Sequence, residues 1–178
     1  KENAARNGLS VEYEVANVFD LLPNLTPGEY DYIILDPPAF TKSGKTVKNA
    51  ERGYKEINYR AMKALPRGGY LATCSCSHFM TDALFRKMLQ SAARDAQVEL
   101  RLVEARAQGP DHPILWNVPE TDYLKFYIFQ VVYKYPTPGG DAGETLKQGE
   151  RVSAAQPQVW NEPETANSQF SIFTVVQI

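Results

Sequence analysis

Two strand-like segments end on reactive side chains. Ile33-Ile34-Leu35-Asp36-Pro37-Pro38-Ala39-Phe40 closes an apolar run on a carboxylate and two prolines. About forty residues later, Gly68-Gly69-Tyr70-Leu71-Ala72-Thr73-Cys74-Ser75-Cys76-Ser77-His78 closes another on thiols. In an open parallel sheet the carboxyl ends of neighbouring strands border one crevice, so both tips are expected to face a common ligand. A carboxylate and a thiol there suggest covalent chemistry, because a thiolate is strongly nucleophilic and leaves readily afterwards. A nucleophilic thiol needs basic neighbours or a helix N-terminus to ionise near neutral pH, and a helix is expected to begin near Thr81, just after Cys76. The competing reading of Cys74 and Cys76 is that both are small buried hydrophobes.

The elements that must position these tips alternate. Lys1 to Asn7 reads as a last helical turn stopped by Gly8, and Val11 to Ala16 alternates as a strand. Tyr30 to Leu35 is a continuous apolar run, as expected of a parallel strand covered on both faces. Thr46 to Leu65 reads as a helix ended by Pro66 and Gly68-Gly69, and Tyr70 to Ser75 as the next strand. Thr81 to Ala96 is amphipathic, with Leu84, Phe85, Met88, Leu89 and Ala92 on one stripe. Strands at Val98 to Ala105 and Tyr123 to Tyr135 are joined without a helix and are therefore expected to be antiparallel neighbours.

With 178 residues, 43% of them hydrophobic, the chain can build one core, and no run approaches the roughly 18 apolar residues that span a membrane. No signal peptide is visible and a cytoplasmic location is expected. Two cysteines two positions apart cannot staple a fold and lack the second pair of a zinc site; no metal is expected. The net charge of -2 hides an asymmetry. Residues 41–67 hold Lys42, Lys45, Lys48, Arg52, Lys55, Arg60, Lys63 and Arg67 against only Glu51 and Glu56. Such a stripe beside the crevice could hold phosphates, or it could be a solvated helix face.

Several short motifs in a fixed order resemble the class I S-adenosylmethionine-dependent methyltransferases, most closely the bacterial 23S ribosomal RNA cytosine-5 methyltransferases with an N-terminal PUA domain. They are Glu2-Asn3-Ala4-Ala5-Arg6-Asn7-Gly8, Asp36-Pro37-Pro38-Ala39-Phe40, Arg52-Gly53-Tyr54-Lys55-Glu56-Ile57-Asn58, Ser75-Cys76-Ser77, Asp111-His112-Pro113, and Pro119-Glu120 with Tyr123-Leu124-Lys125. The resemblance implies the closing half of a truncated α/β Rossmann-like methyltransferase sheet with a terminal antiparallel hairpin, over residues 1–135. It also implies that the glycine-rich cofactor loop, the ribose-binding acid and the RNA-binding domain lie upstream of Lys1. The chain alone would then bind S-adenosylmethionine weakly or not at all and be inactive.

The resemblance implies Cys76 as the nucleophile that adds to C6 of cytosine, making C5 electron-rich enough to accept a methyl group. Asp36 would lie between the cofactor's amino group and the base and help protonate N3. Asn17, Val18, Asp36 and Pro37 would contact the cofactor. Pro38 and Phe40 would pack against the base, Arg52 and Lys55 would hold RNA phosphates, and His112 would meet the target nucleotide. Two departures stand out: many relatives have a second cysteine where Ala39 stands, and Asn17 replaces a common acid. Two other readings remain open. One is a base-nitrogen methyltransferase using the Asp-Pro-Pro-x-Phe tip. The other is a non-catalytic RNA-binding fragment.

Residues 136–167, rich in Pro, Gly, Gln and Glu, read as a linker or disordered tail. Residues 168–178 are apolar and β-prone again, and are expected to add a strand to an exposed sheet edge, in cis or across a homodimer.

Overall fold

The computed structural model describes residues 2–41, 43–135 and 172–176, the last five as backbone only. Glu2–Arg6 (α1) stops where Gly8 adopts a φ of +67°, a left-handed conformation that costs glycine little. Val18–Leu21 (α2) is capped by the Asn17 side chain, which accepts the Phe19 N–H at 3.0 Å. Then follow Tyr32–Asp36 (β1), Val47–Ala64 (α3), Tyr70–Ser75 (β2) and Asp82–Ala96 (α4). The Thr81 hydroxyl caps α4 by accepting from Leu84 N–H. Val98–Arg106 (β3), Lys125–Lys134 (β4) and Ile172–Val176 (β5) complete the described elements.

The five strands form one sheet in the order β3-β4-β2-β1-β5. β1 and β2 are parallel, pairing Tyr32 with Tyr70 through Leu35 with Thr73. β4 runs antiparallel to both β2 and β3, so the last hairpin closes the sheet as an antiparallel pair. On the other side β5 lies parallel to β1, from Tyr32 opposite Ile172 to Asp36 opposite Val176. Residues 136–171, which include the segment read as a linker, lie outside the described residues.

Strand alternation selects which side chains meet the helices. Ile33, Leu35, Leu71, Tyr127 and Val131 form one buried cluster with Tyr54, Ile57 and Met62 of α3 and Phe85, Met88 and Leu89 of α4. Each fully buried aliphatic or aromatic side chain there contributes roughly 1.5–3 kcal/mol. Tyr54, Phe85 and Tyr127 run their rings across the helix–sheet boundary at centroid spacings of 5.8 and 6.0 Å.

Two expectations fail. Val11 to Ala16 is not a strand: the segment has no ladder partner among the described residues, and Val15 is 100% exposed. Alternation alone does not make a strand where no edge accepts it. β1 is not covered equally on both faces either, since Ile33 and Leu35 are buried while Tyr32 and Ile34 are half-buried. On that second face Tyr32 stacks on Tyr70 at 5.8 Å. Among the described residues no helix is long and apolar enough to cross a membrane.

Candidate active site

The parallel register brings the chain out of β1 at Asp36 and out of β2 at Ser75 side by side. Side-chain contacts fasten these two ends to each other and tie the second to β4. Cys74 Sγ donates to Asp36 Oδ1 at 3.0 Å and lies 3.6 Å from the Leu35 carbonyl oxygen. Ser77 Oγ donates to the Thr41 carbonyl at 3.1 Å. Lys125 Nζ, reaching over from β4, donates to the carbonyl oxygens of Ser77 and Tyr123, each at 2.6 Å.

The two thiols have different surroundings. Cys74 is 6% exposed. Burial pushes its pKa up, and the Asp36 carboxylate, as hydrogen-bond partner and as a charge, pushes it further. Cys74 is therefore a protonated donor that orients Asp36. Cys76 lies one residue beyond the end of β2 and is exposed, as is Asp36. The loop is braced from below, where Ser75 Oγ donates to Tyr54 Oη at 3.0 Å within the core.

The remaining expected site residues are dispersed. Pro37 is buried and Pro38 exposed. Phe40 packs its ring on Tyr54 at 4.6 Å and on Phe19 at 6.0 Å, over Gly53, where an added Cβ would lie 3.2 Å from the ring. Phe40 is thus part of the helix–loop packing rather than a free stacking platform. Asn17 spends its side-chain oxygen on the α2 cap, and the Val18 side chain belongs to the core.

Arg52 and Lys55 line a shallow groove of about 380 Å³ with Glu56, Tyr59 and Asp95, where Lys55 pairs with Asp95 at 2.6 Å. Asp95 sits near the C-terminal end of α4, about 20 Å of helix from Thr81. The structure therefore places Lys55 on a charge-compensated α3–α4 seam, away from the tip of β2. His112 is exposed on the loop between β3 and β4, its Nδ1 3.2 Å from the Tyr123 hydroxyl and its Nε2 3.7 Å from Asp111.

Sequence reasoning did not single out Lys125, which β4 places directly opposite Ser75. Nor did it find the open cleft of about 700 Å³ beside it, between the start of α4 and the β3–β4 loop. Lys125 is only 7% exposed, and burial pulls its pKa down against the opposing pull of Asp122, Cys76 and Asp82. Its place in the Tyr123-Leu124-Lys125 motif was the only available signal. Among the described residues no cluster of His, Cys, Asp or Glu is placed to hold a metal ion.

No protein-family model matches the chain. It is 42% identical over 137 residues to a ribosomal RNA large subunit methyltransferase I from Erwinia tasmaniensis, covering 74% of this chain and 35% of that protein. Its counterpart from Shewanella denitrificans is 43% identical over 136 residues, covering 74% and 34%. The chain thus spans about a third of the length of these relatives. Among solved structures it superposes on a protein assigned as a methyltransferase and complexed with SAH, at a TM-score of 0.58 and 20% identity, covering 73% of this chain and 35% of the other. A Streptococcus mutans protein assigned as a SAM-dependent methyltransferase gives 0.57 and 19%, covering 73% and 34%. These two likenesses carry the fold, an open Rossmann-like methyltransferase sheet. Over about three quarters of its length the chain is similar to the ribosomal RNA large subunit methyltransferases I.

Proposed function

We propose that this chain is the C-terminal part of the catalytic domain of an S-adenosylmethionine-dependent methyltransferase that forms 5-methylcytosine in 23S rRNA. The observation that carries the reading is the pair of unlike thiols at the tip of β2: one buried and bonded to Asp36, the other exposed beside it. Within a family of ribosomal RNA methyltransferases, an exposed thiol in that position suits attack on a pyrimidine.

The residues present fit only part of the cofactor. Asp36 offers an exposed carboxylate for an amino group, and Asn17, whose side-chain oxygen caps α2, offers its amide NH2 as a donor; among the described residues no glycine-rich loop cradles the rest. When bound in the whole protein, S-adenosylmethionine supplies the methyl group for C5. The chain's own contribution is Cys76, whose thiolate adds to C6 of cytosine, with the proton lost to solvent at that exposed position. Asp36, oriented by Cys74, accepts a hydrogen bond from the cytosine amino group at the base edge, and its exposed carboxylate relays a proton from solvent to N3. Elimination later returns the sulfur as a thiolate once water takes the C5 proton, and N3 gives its proton back to solvent. The engaged Phe40 ring disfavours the base-nitrogen alternative, which needs a free aromatic platform at this tip.

The test joins the chain to the upstream two thirds of the Erwinia tasmaniensis relative. RNA bearing 5-fluorocytosine blocks loss of the C5 substituent and should trap a covalent protein–RNA complex, visible on a denaturing gel. Cys76→Ala should abolish both the complex and methyl transfer. Methylation that survives Cys76→Ala would refute the thiol mechanism.

A further inference from the structure

The open cleft next to the Cys76 turn has a composition that the proposed chemistry does not use. One wall is apolar and projects from the β3–β4 loop: Leu115, and Trp116, which is 94% exposed. The other walls carry His78, Arg86, Arg106 and Lys125 together with the acids Asp82 and Asp122. Arg86 is held by Asp82 at 2.7 Å, and Arg106 by Glu104 at 2.5 Å. The buried Lys125 has no ion-pair partner among the described residues. Two of its three donors go to the Ser77 and Tyr123 carbonyl oxygens, so its ammonium is fixed in place where the cleft meets the loop carrying Cys76, with Asp82 and Asp122 close enough to act on its charge without pairing with it.

We propose that this cleft binds the nucleotide adjacent to the target on a single-stranded RNA segment, with its base stacked on Trp116 and its phosphate facing Lys125. The assignment rests on the reading of Cys76 as the residue that meets the target base. A large exposed aromatic beside a fixed cation matches the two requirements of single-strand binding, a stacking surface and an electrostatic hold on the backbone. The cleft is also continuous with the candidate site, because His78 follows directly from the Cys76-Ser77 turn. Trp116 projects from the fold, so its removal leaves the core intact.

The experiment uses the 178-residue chain with Trp160→Phe, which leaves Trp116 as its sole tryptophan. Addition of short single-stranded oligocytidylate should quench Trp116 emission. In anisotropy titrations with the labelled oligomer, Trp116→Ala should weaken binding about tenfold, the usual scale of one stacked base. Lys125→Gln should lower the slope of log affinity against log salt by about one; if that variant does not fold, the tryptophan arms decide alone. Affinity within twofold of the parent for Trp116→Ala, or unchanged emission, overturns the proposal. Iodide protection of Trp116 in the joined protein before RNA is added also overturns it, because the loop would then dock on the upstream part. Loss of methylation in Cys76→Ala with normal oligomer binding by Trp116→Ala would refute the cleft alone. The reverse pattern would refute the thiol mechanism and leave the cleft standing.

Discussion

Replacing Cys74 by alanine tests whether the thiol beside Asp36 is held protonated, and therefore which cysteine is available as a nucleophile. At pH 7.5 the substitution removes a buried sulfur and should cost about 1 kcal/mol in lost burial; the exposed Asp36 exchanges the S–H donor for water. The pH dependence is the sharper readout. Burial and the Asp36 carboxylate raise the thiol's pKa in the folded state, whereas the unfolded thiol titrates near ~8.5. Below that value the group is protonated in both states, and its stabilising contribution is complete. Above it the unfolded state loses the proton and the folded state keeps it, so stability falls as pH rises. At pH 9.5 the unfolded thiol is about nine-tenths ionised, which favours unfolding by about 1.4 kcal/mol. Urea denaturation at pH 7.5 and 9.5 should therefore show the parent losing about 1.4 kcal/mol more than Cys74→Ala, enough to erase the gap between them. Parallel losses would mean that Cys74 ionises within the folded protein, which would refute its role as a donor and restore it as a candidate nucleophile.

Tyr54→Phe removes the hydroxyl that receives the Ser75 hydrogen bond in the core and should cost about 1 kcal/mol by urea denaturation; an unchanged midpoint would show that the pair braces nothing. Gln97, at a φ of +56°, is the one described non-glycine residue in the left-handed region, so Gln97→Gly should stabilise by about 1 kcal/mol, read as a higher denaturation midpoint. Deleting residues 168–178 removes β5 and uncovers the hydrogen-bonding edge of β1, so the melting temperature should fall and light scattering should report aggregation. Unchanged values for both would mean that the strand contributes nothing in solution.

How much of this was legible in the sequence depended on whether the partners of a segment were local. The start of α4 was legible because Thr81 and its apolar stripe are a self-contained signal. The alternation of Val11 to Ala16 misled because a strand exists only through a neighbour, and none of the described edges pairs with it. Lys55 looked like part of a phosphate stripe because its partner Asp95 comes from α4, forty residues downstream. Lys125 stood in a motif, yet its importance depends on β4 lying antiparallel beside β2 with Lys125 opposite Ser75. No periodicity along one segment reports that cross-strand register.

The two cysteines show how the end of a strand divides equivalent residues into different chemistry. A regular strand would put residues 74 and 76 on one face in the same environment. β2 ends at Ser75, so Cys74 keeps its place in the ladder opposite Phe126 and meets Asp36 at the end of the neighbouring strand. Cys76 falls in the turn that follows, where Ser77 and Lys125 hold the backbone while its own side chain stays exposed. The same register that makes one sulfur a fixed, protonated support for a carboxylate frees the other for solvent and substrate. Lengthening β2 by one ladder pair would bury both thiols together, and the separation of roles on which the proposed chemistry depends would be lost.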